Sequence, residues 1–170
     1  RVKIFQIQNN GMYVKSRNYG IKNSNAEWLA FIDSDDLWFP NKLKSNYDII
    51  NSHDVDFIYH SVKYLQKNKV GRTIREKSKN FQRPIEKFFY QNGNFISLSS
   101  AVIKKNLIEK INYFSESKDR FGWEDFDTWI KLSLVTSKFY YISKPLGALW
   151  FGTENISNIN LYKKNLSLIC

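Results

Sequence analysis

The sequence predicts an α/β layered domain. Short apolar runs that read as strands alternate along it with longer segments of helical character. The 170 residues carry 42% hydrophobic and 16% aromatic side chains, enough for a packed core and too many for a disordered chain. No apolar run approaches the ~20 residues that a membrane-spanning helix needs. One domain is the natural expectation for this length.

The elements follow in order. Val2–Ile7 alternates apolar and polar residues and predicts a strand. Asn9-Asn10-Gly11 signals a turn, and Met12–Lys22 is weakly helical. Glu27–Ile32 ends in a continuous apolar run, the pattern of a strand covered on both faces in a parallel sheet. It stops at Asp33-Ser34-Asp35-Asp36. Pro40 suits the start of a helix over Asn41–Asn51. Val55–Val62 predicts the next strand, and a basic hairpin or loop around Gly71 follows. Pro84 opens a short helix to Tyr90. Ser97–Ile103 reads as a strand, Lys105–Ile111 as a short helix, and Asn112–Gly122 as an irregular polar loop. Glu124–Val135 is amphipathic, with Phe126, Trp129, Ile130 and Leu134 near helical spacing. Phe139–Ile142 and Leu146–Phe151 predict two short strands, and Asn160–Cys170 a last helix.

Composition narrows the function classes. The single cysteine, Cys170, excludes a disulfide framework and a cysteine-based zinc cage within the chain, and suits a reducing compartment. Two histidines, His53 and His60, are too few for an imidazole metal site. Arg1–Asn10 does not read as a signal peptide. The net charge is +10, and Lys63–Lys87, with nine basic and two acidic residues, supplies +7 of it. Such a stretch is either a solvated hairpin or a surface for an anionic partner: nucleic acid, membrane or phosphate.

Two acidic clusters carry the chemistry. Asp33, Asp35 and Asp36 follow a strand, and the carboxyl end of a strand in an open α/β sheet is where ligands bind. Carboxylates packed together repel unless a cation neutralises them, and all-oxygen ligands favour Mg²⁺ or Mn²⁺. The bland alternative is an acidic cluster facing the dipole of the following helix. Glu124, Asp125 and Asp127 sit at a second helix start, where acids are favoured for the same reason. There Trp123, Phe126 and Trp129 offer apolar surface able to desolvate a carboxylate and lift its pKa toward that of a general base.

Four segments, in the right order, resemble the family 2 inverting glycosyltransferases of the GT-A fold. Gly11–Ile21 looks like the family's "G-x-x-x-A-R-N-x-G-I" helix, with Ser16 in place of Ala. Glu27–Leu43 looks like its "D-x-D" segment with the trailing "D-x-W-x-P-x-K-L". Ser99–Lys104 resembles the strand before the acceptor side. Trp123–Leu132 resembles "E-D-Y-D-L-W-x-R-L". The resemblance covers roughly residues 2–157.

The resemblance implies a three-layer α/β/α, Rossmann-like nucleotide-sugar-binding domain with a mixed sheet. It implies transfer of a sugar from a nucleotide-sugar donor to a hydroxyl of a glycan or lipid-linked acceptor, with inversion, in bacterial cell-surface polysaccharide synthesis. Asp35 would hold a Mg²⁺ or Mn²⁺. Asp33, Asp36, Arg17 and Asn18 would face the donor. Asp125 would be the general base, and Glu124 would shape the acceptor pocket. The family's opening strand and nucleotide-binding loop do not precede Arg1, so residues 1–170 are expected to form a single catalytic domain lacking its first strands, with the activity of this length in question. Trp150-Phe151 and Thr153 stand where the family often has a His, so a His-supported metal site is not expected.

Two other readings compete. A haloacid dehalogenase-like phosphatase also places Asp-x-Asp at a strand end, but Leu37 stands where that family has Thr or Val. A basic, aromatic module could bind single-stranded nucleic acid by stacking, yet three Asp at a strand end would repel phosphate, and no specific nucleic-acid partner is expected. The expected location is the cytoplasm, with Lys63–Lys87 able to attach the protein peripherally to the inner face of an anionic membrane.

Overall fold

The computed structural model describes residues 2–66, 69–74 and 84–150. Its helices are α1 (Tyr13–Lys22), α2 (Lys42–Ser52), α3 (Ile85–Asn92), α4 (Lys105–Lys110) and α5 (Glu124–Val135). Its strands are β1 (Trp28–Ala30), β2 (Leu37–Trp38), β3 (Phe57–His60), β4 (Val62–Gln66), β5 (Lys69–Ile74), β6 (Val102–Lys104), β7 (Phe139–Ile142) and β8 (Gly147–Trp150).

The strands form two mixed sheets, in the orders β1-β6-β3-β7 and β2-β8-β4-β5. β6 runs antiparallel to both β1 and β3, whereas β3 and β7 are parallel. In the second sheet β4 and β8 are parallel, and β2 and β5 flank them antiparallel. Ser61 is the hinge between the sheets. Its amide donates to Ile142 O at 3.0 Å, and its carbonyl accepts from the Leu146 amide at 3.2 Å. One chain path therefore leaves the first sheet at His60 and enters the second at Val62.

The main core lies against the first sheet. Phe57, Tyr59, Ile103, Phe89, Phe114, Phe126, Trp129 and Leu132 are buried together. Phe57 packs on Trp129 and Phe139 with ring centroids 5.0 and 4.6 Å apart. Trp129 is fully buried, so its indole N–H needs a partner, and it donates to Ile96 O at 3.1 Å.

Several sequence expectations are corrected. Val2–Ile7 forms no strand, because no neighbouring strand lies beside it among the described residues, and Val2 and Ile4 stay 86% and 91% exposed. β1 is not a doubly covered parallel strand: among the described residues it pairs antiparallel with β6 alone, and only its central Leu29 is buried. The strand expected from Ser97 starts at Val102, after a 3₁₀ turn over Leu98–Ser100. Ser100 causes this locally, because both its amide and its hydroxyl bond to Ser97 O, at 3.0 and 2.7 Å, and compete with strand pairing. Leu134 points to solvent, 67% exposed, and Leu132 takes its place in the core. In the basic stretch β4 pairs antiparallel with β5, Gln66 opposite Lys69, and Gly71 lies within β5. The helix expected over Asn160–Cys170 falls outside the described residues.

Candidate active site

The turn that opens α1 comes from residues suited to left-handed backbone. Asn10 and Gly11 have φ of 53° and 76°, and the Met12 amide closes the turn on Asn9 O at 3.0 Å. Helix α1 then presents Tyr13 and Arg17, one turn apart on one face. Arg17 spans both acidic clusters. Its Nη1 donates to Glu124 Oε1 at 3.2 Å and its Nη2 to Asp33 Oδ1 at 3.4 Å. The guanidinium carbon lies 5.0 Å from the centre of the Phe114 ring and 5.6 Å from that of Tyr13. The Tyr13 hydroxyl donates to Glu124 Oε2 at 3.2 Å. Burial and the Glu124 charge both push the Tyr13 phenol upward, so it stays a donor. Both oxygens of the buried Glu124 thereby have a donor.

Asp125 is placed differently. Asn94 Nδ2 donates to its Oδ2 at 3.0 Å, and the Phe126 amide donates to its Oδ1 at 2.7 Å. Burial, and then the Glu124 charge beside it, push the Asp125 carboxyl up to about 6. A carboxylate titrating there is suited to take a proton near neutral pH. Asp127, the third acid of this helix start, faces away to Lys131 and Arg120, at 2.6 and 3.8 Å.

The first acidic cluster forms a turn, closed by the Asp36 amide on Asp33 O at 3.1 Å. Ser99 braces it. The Ser99 hydroxyl accepts from the Asp33 amide at 2.9 Å, and its nearness to the Asp36 carboxyl favours the charged form. Asp36 Oδ1 also accepts from the Trp150 amide at 2.9 Å, tying the turn to β8. Burial raises the carboxyls of both Asp33 and Asp36, and Asp35 adds repulsion to each. Asp35 itself is exposed.

Among the described residues no three of His, Cys, Asp and Glu gather closely enough to form a metal cage. The donor chemistry of the turn still fits a hard divalent cation. It is all oxygen, mutually repelling and open at Asp35, and Mg²⁺ takes one or two carboxylates and completes its shell with water and substrate phosphates.

Six of the seven residues singled out from the sequence therefore lie in or beside one connected network: Arg17, Asp33, Asp35, Asp36, Glu124 and Asp125. Asn18 does not join it. It is buried, donates to Phe114 O and Glu116 Oε1 at 2.8 and 2.9 Å, and accepts from the Phe114 amide at 3.1 Å. With those bonds made, Asn18 pins the loop after α4 to α1. Sequence reasoning missed Tyr13, Asn94 and Ser99. Tyr13 and Ser99 sit inside the resembling segments, whereas nothing local marks Asn94. A groove of about 360 Å³ among Phe5, Gln6, Ile7, Ser16, Tyr19 and Gly20 contains none of the expected site residues.

An α/β domain with an acidic turn at a strand end, bridged by one arginine to an acidic helix start, has the layout of a glycosyltransferase domain. The chain belongs to glycosyl transferase family 2, whose family model matches residues 1–112. It is 28% identical over 159 residues to a Haemophilus influenzae protein described as an uncharacterized glycosyltransferase, covering 92% of this chain and 53% of that one. It is 29% identical over 121 residues to the succinoglycan biosynthesis protein ExoW of Rhizobium meliloti, covering 62% and 38%. It is 26% identical over 136 residues to the amylovoran biosynthesis glycosyltransferase AmsB of Erwinia amylovora, covering 77% and 44%. The chain thus spans about half the length of the relatives it matches, or less. Among solved structures, S. aureus TarS 1-349 in complex with UDP-GlcNAc superposes with a TM-score of 0.64 at 19% identity, covering 88% of this chain and 44% of that one. That likeness establishes the GT-A type of fold. Family membership selects the glycosyltransferase reading over the phosphatase and nucleic-acid readings.

Proposed function

We propose that the protein transfers a sugar from a nucleotide-sugar donor to a hydroxyl of a glycan or lipid-linked acceptor, with inversion and with a divalent cation, in bacterial polysaccharide synthesis. The observation that carries this reading is the Arg17 bridge, which joins the acidic turn to the acidic helix start in one site. The names of ExoW and AmsB support the polysaccharide setting, and the UDP and UDP-GlcNAc complexes of TarS support a uridine nucleotide.

In the proposed reaction Asp125 takes the proton of the acceptor hydroxyl. The acceptor oxygen attacks the anomeric carbon from the face opposite the diphosphate. The bond from that carbon to the diphosphate oxygen breaks, and the nucleoside diphosphate leaves with the electron pair. Arg17 and Asp33 orient the donor, while Asp36 holds the turn. Asp35 would hold the Mg²⁺ or Mn²⁺, which neutralises diphosphate charge when bound. Glu124 keeps Arg17 in place and shapes the acceptor side.

The test is sugar transfer by the complete protein from UDP-sugars with Mn²⁺, and calorimetry of UDP binding with and without Mn²⁺. The expected result is metal-coupled UDP binding that Asp35→Asn abolishes. Parental binding by Asp35→Asn removes the metal role, and absence of transfer from any nucleotide-sugar removes the reading.

No helix among the described residues is long and apolar enough to cross a membrane. Cytoplasmic location with peripheral attachment through Lys63–Lys87 belongs to the same proposal. Each basic residue near an anionic surface contributes about 1 kcal/mol, so sedimentation with phosphatidylserine vesicles should show binding at low salt that is lost at high salt.

A further inference from the structure

Lys42 opens helix α2 and is fully buried. Burial opposes its charge, and so does the positive end of the helix dipole. No carboxylate pairs with it among the described residues. Its contacts are neutral: Ser99 O at 2.7 Å, His60 Nε2 at 2.9 Å, and the Trp38 ring, whose centre lies 4.6 Å away. His60 is also fully buried, with Nδ1 2.8 Å from Ser61 O. A backbone carbonyl only accepts, so Nδ1 carries the hydrogen and Nε2 presents its lone pair to Lys42. Burial and the Lys42 charge push the imidazole down to about 3, which keeps it a neutral acceptor.

These contacts converge on Ser99. Its carbonyl, turned out of strand pairing by the 3₁₀ turn, accepts from Lys42 and also from Trp38 Nε1 at 3.0 Å. Its hydroxyl accepts from the Asp33 amide, and the Asp36 amide closes the turn on Asp33 O. A chain of bonds therefore runs from His60 through Lys42 and Ser99 into the acidic turn at Asp33. A methionine would fill the Lys42 slot without the cost of burying an amine. What the lysine adds is directional donors.

The geometry points to Lys42 as a positioning residue: with His60 behind it, Lys42 holds Ser99, and through Ser99 it sets the Asp33–Asp36 turn to receive the diphosphate end of a nucleotide-sugar. This inference rests on the glycosyltransferase reading of the site.

Two measurements on the complete protein test it. The first is hydrogen exchange without ligand. Lys42→Met should speed exchange of the Asp33 and Asp36 amides about tenfold, the worth of one lost hydrogen bond, while the β3 amides keep their parental rate. His60→Gln, which keeps an acceptor for Lys42, should stay close to parental. Ser99→Ala is a small change that removes only the hydroxyl, and it should loosen the same two amides even if Lys42→Met folds poorly. Parental exchange at Asp33 and Asp36 in Lys42→Met or Ser99→Ala overturns the proposal. Uniformly faster exchange through β3 as well would make Lys42 a general structural residue and also overturn it. Exchange in His60→Gln as fast as in Lys42→Met would show that an acceptor behind Lys42 is not what holds it, and overturns the role given to His60. The second measurement is calorimetry with UDP, GDP and dTDP plus Mn²⁺. Lys42→Met and Ser99→Ala should bind the preferred nucleotide about tenfold more weakly than the parent. Unchanged affinity with a loosened turn breaks the link to the donor. A parent that binds none of the three nucleotides overturns the proposed function, while the exchange data still decide whether Lys42 sets the turn.

Discussion

Arg17 and Glu124 lie 107 residues apart in the chain, yet the half-buried Arg17 places Nη1 3.2 Å from Oε1 of the buried Glu124. Glu124 has only 7% of its side chain exposed, so losing its cation would strand a charge where water reaches it poorly. Removing one partner of a buried pair costs about 3–5 kcal/mol. Arg17→Met should lower unfolding stability by about 3 kcal/mol at neutral pH, read by urea denaturation. Arg17→Lys should lose less, because a lysine keeps one point charge for Glu124, but it should still lose some, because it cannot span Glu124 and Asp33 together. A loss below about 0.5 kcal/mol in Arg17→Met would show that the bridge does not hold the site together.

Asp125 should govern the acid limb of the pH profile. Its carboxyl is pushed up to about 6, so kcat/KM should rise through that pH and level off above it. Asp125→Asn should cut turnover about 10²–10⁴-fold with donor affinity nearly unchanged. Asn94 donates to the charged form of this carboxylate, so Asn94→Ala should move the limb upward by about one unit. A limb unmoved in Asn94→Ala, or near-parental turnover in Asp125→Asn, would take Asp125 out of the proton transfer.

The same shift fixes a stability trend. Between the ordinary carboxylate range and pH 6 the folded state keeps the Asp125 proton and the unfolded state loses it. Stability contributed by this group is therefore full below that window and declines as pH rises through it. Melting temperatures of parent and Asp125→Asn across pH 3–7 should diverge in this sense, with the variant lacking the decline. Parallel curves would contradict the raised pKa.

Gly147 is a packing requirement of the second sheet. A Cβ added there would sit 2.7 Å from Leu37 O, too close for any side chain. Gly147→Ala should push β2 from β8 and cost about 1–3 kcal/mol. Because β2 directly follows the acidic turn, metal-coupled UDP binding should weaken with it. Unchanged stability would show that β2 shifts freely.

Asp127→Asn serves as the control within the acidic helix start. Asp127 pairs with Lys131 and faces away from Asp125, so the change should cost about 0.3–1 kcal/mol through the helix terminus. UDP binding and transfer should stay parental. A large loss of transfer would bring Asp127 into the site.

Local chemistry was legible in the sequence, because local chemistry depends on neighbours in the chain. Helix α5 has the bounds expected of it, since three acids favour its first turn and Phe126 and Trp129 share its buried face. Asp33, Asp35 and Asp36 announced a turn that cannot be apolar core. Arg17, Glu124 and Asp125 were found through their motifs, whose order in the chain carries the family pattern. What the chain order could not say is which groups meet. A strand needs a partner, so the alternation of Val2–Ile7 predicted a strand that has none beside it among the described residues. Asn18, beside Arg17 in sequence, turns a different way on the helix and is spent on Phe114. His60 and Asn94 carry no local mark, and the motifs that hold Lys42 and Ser99 do not say what these residues touch, because each acquires its role from a bond across 18 to 66 residues of chain. Residue type and spacing thus determined most of the helices and strands and where the two acidic clusters lie. Only the tertiary structure decided which carboxylate is bonded by Arg17 and Tyr13 and which is desolvated and titrates nearer neutral pH. Desolvation and hydrogen bonding are set by what packs around a group in space, and no run of neighbouring residues specifies that.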